Sequence, residues 1–381
     1  MADVQIVSGL APVNEPIEAG KPIRSRSAWI ASDYADRQEE WVHVLSQPEI
    51  AELDAAIRLV EKSHKPIQSI ALEDVAEALP TLSPTLRALG REAVEGKGFQ
   101  VIRGFPVDRW SQEDSSRAFW IVGLHWGKAV PTNAKGHLIG HVADVGADAN
   151  LPTTRLYTTS AAQPFHNDAA DLVALLCLRG AKSGGGSLWS SSQSVANAIL
   201  SARPDLVETL REPLYWDRKG EVRGDEKPYF AVPAFNYLDG KLSVNWSSNY
   251  FFLAQRHPEV PRLSTKQLEA IELFDSLAGD ARLALRFQLQ PGDLQLLSDH
   301  TVLHAREAFE DWVEEERPKE AAEAGPKRHP GRHLLRLWLS PEDDRPLPDA
   351  YKAVFGGSVE VGNRGGILLA EGTELSVPLE P

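Results

Sequence analysis

The segment PFHNDAAD places an imidazole and a carboxylate, His166 and Asp168, two residues apart. On a strand or at its end, residues at this spacing point to the same side. The two side chains can therefore take neighbouring positions on one metal ion. Two histidines and one carboxylate on one face of the metal, with other positions open, are typical of non-haem Fe(II) sites. A His-x-Asp pair alone is weak evidence, because such pairs are common by chance.

A second histidine for such a site is available in GDLQLLSDHTVLHAR, which carries His300 and His304. This segment follows a predicted strand and a Pro-Gly turn, which suits a ligand carried on a rigid sheet. The two histidines have the same strand parity, so the residues alone leave both open. In either case the chain must return to His166 after a long intervening stretch.

Two arginines in GRHLLRLWLS, Arg332 and Arg336, are four residues apart on a predicted strand. They face the same side, about 13 Å apart at a rise of ~3.3 Å per residue. An arginine directed into the protein interior is costly unless it meets an anion, and its guanidinium can bind a carboxylate through two parallel hydrogen bonds. A dicarboxylate cosubstrate would supply that anion; an internal pair with Asp or Glu is the alternative.

The elements that must position these residues are mostly strands in the second half of the chain. The run DLVALLCLRG is nearly continuously apolar, which predicts a strand buried on both faces. No alternation of strands with helices of 10–15 residues is visible, which argues against a doubly wound parallel sheet. We therefore predict a mainly β fold with helical insertions, a double-stranded β-helix or jelly roll. Helices are predicted at 48–63, after Ser111 and after Ser264.

The predicted organisation is one decorated domain. Residues 1–94 form an N-terminal arm and helical decoration, and residues 95–381 form the jelly-roll core. An inserted loop at about 310–331 is charged and contains Pro and Gly. It is interpreted either as a solvated loop or as a mobile lid beside the site.

The composition excludes several classes of protein. A net charge of −14 over 381 residues argues against nucleic-acid binding. One cysteine, Cys177, permits no internal disulfide and favours a reducing compartment. No signal peptide and no apolar run of the ~20 residues that a membrane helix needs are visible. We expect a cytoplasmic protein without a membrane partner.

The combination of these motifs resembles the Fe(II)/2-oxoglutarate dioxygenases of the taurine-dioxygenase (TauD/TfdA-like) type over about residues 95–345. The resemblance depends on GFQVIRGF, PFHNDAADLVALLCL, SGGGSLWSS, PGDLQLLSDHTVLHAR and RHLLRLWLS. It implies a double-stranded β-helix, in agreement with the strand pattern. It also implies Fe(II), 2-oxoglutarate as cosubstrate and molecular oxygen.

When the family's motifs are matched to this sequence, the resemblance implies that the iron ligands are His166, Asp168 and His304. His300 is the alternative candidate for the third ligand. Arg332 would pair with the distal carboxylate of 2-oxoglutarate, and the hydroxyl of Ser187 could bind a cosubstrate carboxylate. The loop at 310–331 makes the spacing between His304 and Arg332 longer than is usual in the family.

Further residues have roles that the resemblance leaves open. Arg336 is a candidate for the substrate or for a second cosubstrate contact, and Arg306 for support behind the ligands or an anion contact. Trp246, Asn249 and Tyr250 are candidates for the substrate pocket.

The expected activity is oxidation of a C–H bond in a small organic acid, amino acid or sulfonate, with release of succinate and carbon dioxide. The alternatives are a cupin-like, metal-dependent but non-oxidative enzyme and a non-catalytic jelly-roll protein that binds a small ligand. A homo-oligomer remains open.

Overall fold

The computed structural model describes residues 4–223, 226–312 and 331–381. The helices are α1 (Ala31–Tyr34), α2 (Gln47–Ser63), α3 (Leu82–Glu95), α4 (Gln112–Gly123), α5 (Ser192–Ala202), α6 (Pro204–Leu210), α7 (Ser248–Ala254) and α8 (Thr265–Ala278). The strands are β1 (Val42–Val44), β2 (Phe99–Arg103), β3 (Lys128–Val130), β4 (Ile139–Val142), β5 (Gln163–His166), β6 (Leu172–Arg179), β7 (Ser183–Gly184), β8 (Ser187–Ser191), β9 (Pro213–Asp217), β10 (Tyr229–Pro233), β11 (Phe235–Leu238), β12 (Lys241–Val244), β13 (Ala284–Phe287), β14 (Asp293–Ser298), β15 (Val302–Arg306), β16 (Phe309–Glu310) and β17 (His333–Ser340).

The three predicted helices are confirmed, and local capping explains where they begin. Helices α2 and α8 start with capping boxes, Ser46 with Glu49 and Ser264 with Gln267. In each box a serine hydroxyl accepts from a backbone N–H of the first turn, which would otherwise lack a partner. Ser111 caps α4 in the same way, without the reciprocal bond. With eight helices in the described residues, the architecture is mixed helix and sheet with many strands.

The main sheet has the order β1-β2-β14-β6-β17-β3, with β4 also paired to β17. Its central strands β14, β6 and β17 pair antiparallel. Seven of the eight residues of β6 from Leu172 to Arg179 are apolar and most are buried, as its continuous apolar sequence predicts. One face of the sheet packs on helices α2, α3 and α4, so alternate residues of β17, such as Leu335 and Leu337, lie in that helical core.

The second sheet, of order β13-β8-β15-β5, faces the opposite side of the main sheet. An apolar cluster joins the two sheets: Phe99, Leu297 and Leu334 come from the main sheet, and Trp189 and Val302 from the second. Strand parity fixes what else faces this interior. His304 shares a side with Val302, and Arg336 shares a side with Leu334.

The first 94 residues contribute to this interior as well as to the surface. Trp29 and Trp41 are 0 % and 2 % exposed and lie in the cluster between the sheets. The indole of Trp41 packs edge-on against Phe99 and Trp189, at centroid distances of 5.7 Å in both cases. The aromatic side chains of this segment therefore help to hold the two sheets together.

Candidate active site

Three side chains converge between the sheets at the end of β5. His166 is the last residue of β5, and Asp168 lies two residues further along the chain. His304 lies directly opposite His166 on the neighbouring strand β15. The Nε2 atoms of His166 and His304 lie 3.7 and 4.0 Å from the two carboxylate oxygens of Asp168. One ligand atom from each residue can be chosen so that all three lie within 4.8 Å of one another.

The protonation states of this triad suit a divalent cation. Burial and the neighbouring His304 lower the pKa of His166 to about 3, and burial lowers that of His304. Burial raises the pKa of Asp168, but Arg336 and the two histidines outweigh it and bring the pKa to about 2. At neutral pH the site therefore offers two neutral imidazoles and one carboxylate, the set that non-haem Fe(II) sites use.

Hydrogen bonds orient His166 for a ligand role. Its Nδ1 donates to the carbonyl oxygen of Pro164 at 2.8 Å, which leaves the lone pair on Nε2. The side-chain amide of Gln163 donates to that Nε2 at 2.8 Å. A metal ion bound at this Nε2 would therefore have to displace the Gln163 amide.

Asp299 is a residue of this site that the sequence analysis did not identify. Its Oδ1 lies 3.3 Å from Nδ1 of His304, and neither atom makes a hydrogen bond in the described part of the chain. Its Oδ2 accepts a hydrogen bond from the backbone N–H of Asp168. Burial and the charge of Asp168 raise the pKa of Asp299 well above its usual range. The carboxyl group therefore holds the backbone of Asp168 and lies directly behind the ring of His304.

We expect Asp299→Ala to weaken divalent-metal binding by about 10- to 100-fold, the usual cost of losing a group behind a ligating histidine. Asp299→Asn, which keeps a hydrogen-bond acceptor, should lose less. Titration of the metal-free variants with Mn(II) measures the effect, and the exposed Asp349→Ala is the control. An affinity equal to that of the control would show that Asp299 has no positioning role.

His300 lies outside the triad, in the turn between β14 and β15. Its Nε2 is 2.7 Å from Oδ1 of Asp171. The guanidinium of Arg364 also binds Asp171, at 2.9 and 3.0 Å, and lies 3.5 Å from Asp344. Although donor atoms of Asp171, His300 and Asp344 lie close enough to hold a metal ion, Arg364 already supplies the positive charge. This group is a buried ion-pair cluster that fastens residues 341–381 to the turns carrying the triad.

Removing Arg364 should strongly destabilise the protein, because Asp171 and Asp344 would keep buried charges without their main partner. We expect Arg364→Met to lower the free energy of unfolding by about 3–5 kcal/mol, measured in urea. The control is Arg203→Met, whose ion pairs are exposed and worth about 0–1 kcal/mol. A stability loss no larger than that of the control would contradict this assignment.

An inner cavity extends from the triad between the two sheets. Its lining includes Ser187, Arg306, Arg332 and Arg336, together with apolar residues of both sheets. Ser187 lies opposite Arg306 in the ladder between β8 and β15. The cavity therefore contains a hydroxyl and three guanidinium groups beside the triad.

The guanidinium of Arg332 has no carboxylate partner in the described residues. Its Nη1 is buried and makes no hydrogen bond, and the group packs over the ring of Phe309 at 5.3 Å. Nε and Nη1 of Arg306 are also without partners, although its Nη2 donates to the carbonyl oxygen of Thr159 at 2.9 Å. Burial lowers the pKa of Arg332, while burial and Arg332 lower that of Arg306 to about 10. Such positive charge without a carboxylate partner favours binding of an anion.

An outer cavity meets the inner one at His166, Asp168 and Arg336. Asn249 and Tyr250 line it, and the C-terminal segment around Gly366 closes one side. The Arg336 guanidinium lies 3.4 Å from Asp168 and packs over the rings of Tyr157 and Trp338, at 4.5 and 4.6 Å. The triad is thus reached from two cavities.

Trp246 lines neither cavity, which corrects its interpretation as a pocket residue. Its side chain is 0 % exposed and stacks on Phe274 at a centroid distance of 3.6 Å. The indole N–H donates to Asp275 at 2.8 Å. Residue type alone did not show that this indole packs against helix α8. The other candidate segment, the loop at about 310–331, lies outside the described residues at 313–330.

A family model described as "Taurine catabolism dioxygenase TauD, TfdA family" matches residues 63–338. The chain belongs to this family. It is an Fe(II)/2-oxoglutarate-dependent dioxygenase, an oxidoreductase that uses Fe(II), 2-oxoglutarate and molecular oxygen. Within the described residues, no helix is long and apolar enough to cross a membrane.

Two curated relatives cover most of the chain. The FR-33289 synthase of Streptomyces rubellomurinus is 30% identical over 336 residues, 86% of this chain and 93% of the relative. The taurine hydroxylase-like protein SAT17 of Stachybotrys chartarum is 29% identical over 327 residues, 84% of this chain and 80% of the relative.

Solved structures support the fold. Asparagine oxygenase in complex with Fe(II), 2S,3S-3-hydroxyasparagine and succinate has a TM-score of 0.58 at 17% identity, covering 78% of this chain and 93% of that one. The non-heme iron oxygenase OrfP in complex with Fe and alpha-ketoglutaric acid has a TM-score of 0.57 at 14% identity, with the same coverages.

Proposed function

We propose that the protein oxidises a C–H bond of a small organic acid, amino acid or sulfonate, with release of succinate and carbon dioxide. The observation that carries this proposal is the meeting of two cavities at one triad. A site of this form can hold a cosubstrate on one side of a metal and a substrate on the other. We also propose that the two sheets form a double-stranded β-helix within residues 95–381.

In this proposal His166, Asp168 and His304 hold the iron. Their neutral imidazoles and ionised carboxylate fit Fe(II), and three protein ligands leave positions open. The bound iron supplies the activation of oxygen, with 2-oxoglutarate as the source of the further electrons. Asp299, Pro164 and the Trp338 indole, which donates to Asp168 at 2.8 Å, keep the triad in place.

The inner cavity is the proposed cosubstrate site. Arg332 binds the distal carboxylate of 2-oxoglutarate, since its guanidinium is buried and has no carboxylate partner in the described residues. Ser187 offers a hydroxyl to the same carboxylate, and Arg306 adds a second positive charge beside it. Together these groups compensate the negative charge of the cosubstrate carboxylate, which is shielded from water in this buried cavity.

The outer cavity is the proposed substrate site, with Arg336, Asn249 and Tyr250 facing the substrate. Arg336 contacts both Asp168 and this cavity, so it can fix the substrate relative to the metal. The name of the taurine hydroxylase-like relative supports a small sulfonate or a similar acid as the substrate.

The test is succinate release by the protein reconstituted with Fe(II) and 2-oxoglutarate, screened against small organic acids, amino acids and sulfonates. We expect a subset of compounds to stimulate succinate formation with matching oxidised product. A protein that binds the metal yet never converts 2-oxoglutarate would instead be a cupin-like, non-oxidative enzyme. Absence of metal binding would favour a non-catalytic ligand-binding protein.

A further inference from the structure

The wall of the outer cavity contains a lysine, Lys219, to which the proposed function assigns no role. Lys219 follows β9 and lines the cavity, although only 6 % of the residue is exposed. Its Nζ donates to the carbonyl oxygen of Thr154 at 3.0 Å and lies 5.1 Å from the ring centre of Tyr250. An ammonium has three hydrogens to donate, so the carbonyl leaves others for a ligand.

The carboxylates nearest to Lys219 are engaged by other cations. Asp217 receives two hydrogen bonds from Arg256, at 2.8 and 3.1 Å, and lies 2.8 Å from His257. Glu221 pairs with Arg155. Within the described residues, Lys219 forms no ion pair of its own. Lys219 is therefore a buried ammonium whose neighbouring carboxylates are bound by Arg256 and Arg155.

The backbone holds Lys219 in a restricted conformation. Its φ of 51° lies in the left-handed region, which is costly for a residue with a side chain. A hydrogen bond of 2.6 Å from its N–H to the Asp217 carboxylate stabilises this conformation. The Asp217 carboxylate thus binds both the backbone of Lys219 and the side chain of Arg256. The fixed backbone keeps the Lys219 side chain at the cavity wall.

The neighbouring Tyr250 hydroxyl can act together with Lys219. It accepts a hydrogen bond from Nη1 of Arg155 at 3.1 Å, so its own hydrogen remains available. Burial raises the pKa of Tyr250, which keeps that hydrogen in place at neutral pH. Arg336 differs from Lys219 because its guanidinium already lies against Asp168.

We infer that Lys219 and the Tyr250 hydroxyl bind an anionic group of the substrate, a carboxylate, sulfonate or phosphonate, at the wall of the outer cavity. The inference rests on the proposed function, which makes this cavity the substrate site. In this assignment Lys219 recognises the negative charge of the substrate. Arg336 contacts the part of the substrate that lies beside the metal. The substrate is then an organic acid held by its anion while another part of it reaches the triad.

Direct binding of matched probes tests this assignment. Butanoate, propane-1-sulfonate and propylphosphonate differ from butanamide chiefly in the charge of the end group. Calorimetry on the protein loaded with Fe(II) and 2-oxoglutarate, without oxygen, should show at least one anion binding about 10- to 100-fold more tightly than the amide. The ranking of the three anions identifies which acid the site prefers.

Lys219→Met should abolish this preference, and Lys219→Gln, which keeps a hydrogen-bond donor, should retain a small part of it. Lys266→Met removes an exposed lysine and should behave like the unchanged protein. The inference is overturned if no anion binds better than butanamide or if the Lys219 variants keep the preference. Succinate release in the substrate screen is measured separately, so failure of the proposed function is distinguishable.

A measurement on the unchanged protein covers the case in which the Lys219 variants do not fold. Burial, Arg155 and Arg256 lower the pKa of Lys219 to about 8, against the opposing effect of Asp217 and Glu221. Butanoate and propane-1-sulfonate keep their charge between pH 7 and 9, whereas Lys219 loses its proton. Their affinity should therefore fall about tenfold over this range, and an unchanged affinity would overturn the inference.

Discussion

Replacing His304 with alanine is expected to abolish metal-dependent succinate formation and to weaken Fe(II) binding by more than about 100-fold. The loss of a group behind a ligand already costs 10–100-fold in affinity or activity, and here a ligand itself is removed. His166→Ala and Asp168→Ala should have the same effect, because three protein ligands are needed to hold the metal while other positions stay open. Binding is measured by titration of Mn(II) or Fe(II) without oxygen.

His300→Ala is the matched comparison for this experiment. It removes a histidine only four residues away, which contacts Asp171 instead of the triad. We expect it to lower stability while leaving the metal affinity of the folded protein close to normal. If His300→Ala lost the metal and His304→Ala kept it, the ligand assignment would be wrong.

Arg332→Ala should raise the apparent KM for 2-oxoglutarate by about 10- to 150-fold. A hydrogen bond to a charged group is worth about 1.5–3 kcal/mol, and no other described residue takes over the position of this guanidinium. Arg332→Lys should recover only part of the loss, since an ammonium lacks the planar fork that matches a carboxylate. Metal affinity should change far less than the KM, which separates this effect from damage to the triad.

The exposed Arg286, which pairs with Glu307, is the control for this variant. Arg286→Ala should leave the KM for 2-oxoglutarate unchanged. Should Arg336→Ala raise the KM while Arg332→Ala does not, the roles of the two arginines would have to be exchanged.

The local parts of the site could be predicted from sequence because they depend on short-range geometry. His166 and Asp168 are brought together by a spacing of two at the end of a strand. Arg332 directly precedes β17, and Arg336 lies within it on the side that strand parity assigns to the interior. Helix α2 was predictable from the helical spacing of its apolar residues, and α4 and α8 from the serine that caps the first turn of each.

Strand parity could not distinguish His300 from His304, because it assumes that both residues lie on one continuous strand. His300 lies in the turn before β15, whereas His304 lies within β15 and opposite His166. The role of Asp299 could not be predicted from the sequence. It contacts the backbone N–H of Asp168, which is distant along the chain, and this contact forms only in the folded protein.

By itself, the sequence determined the family, the residue types that meet in the triad and the strands that carry them, because these follow from residue identity and local spacing. Only the tertiary structure decided which charges remain unpaired. Arg332 and Lys219 have no carboxylate partner in the described residues, whereas Arg364 forms ion pairs with Asp171 and Asp344 and Trp246 is in the core. Burial and pairing depend on neighbours that are distant along the chain, so spacing alone carries no information about them.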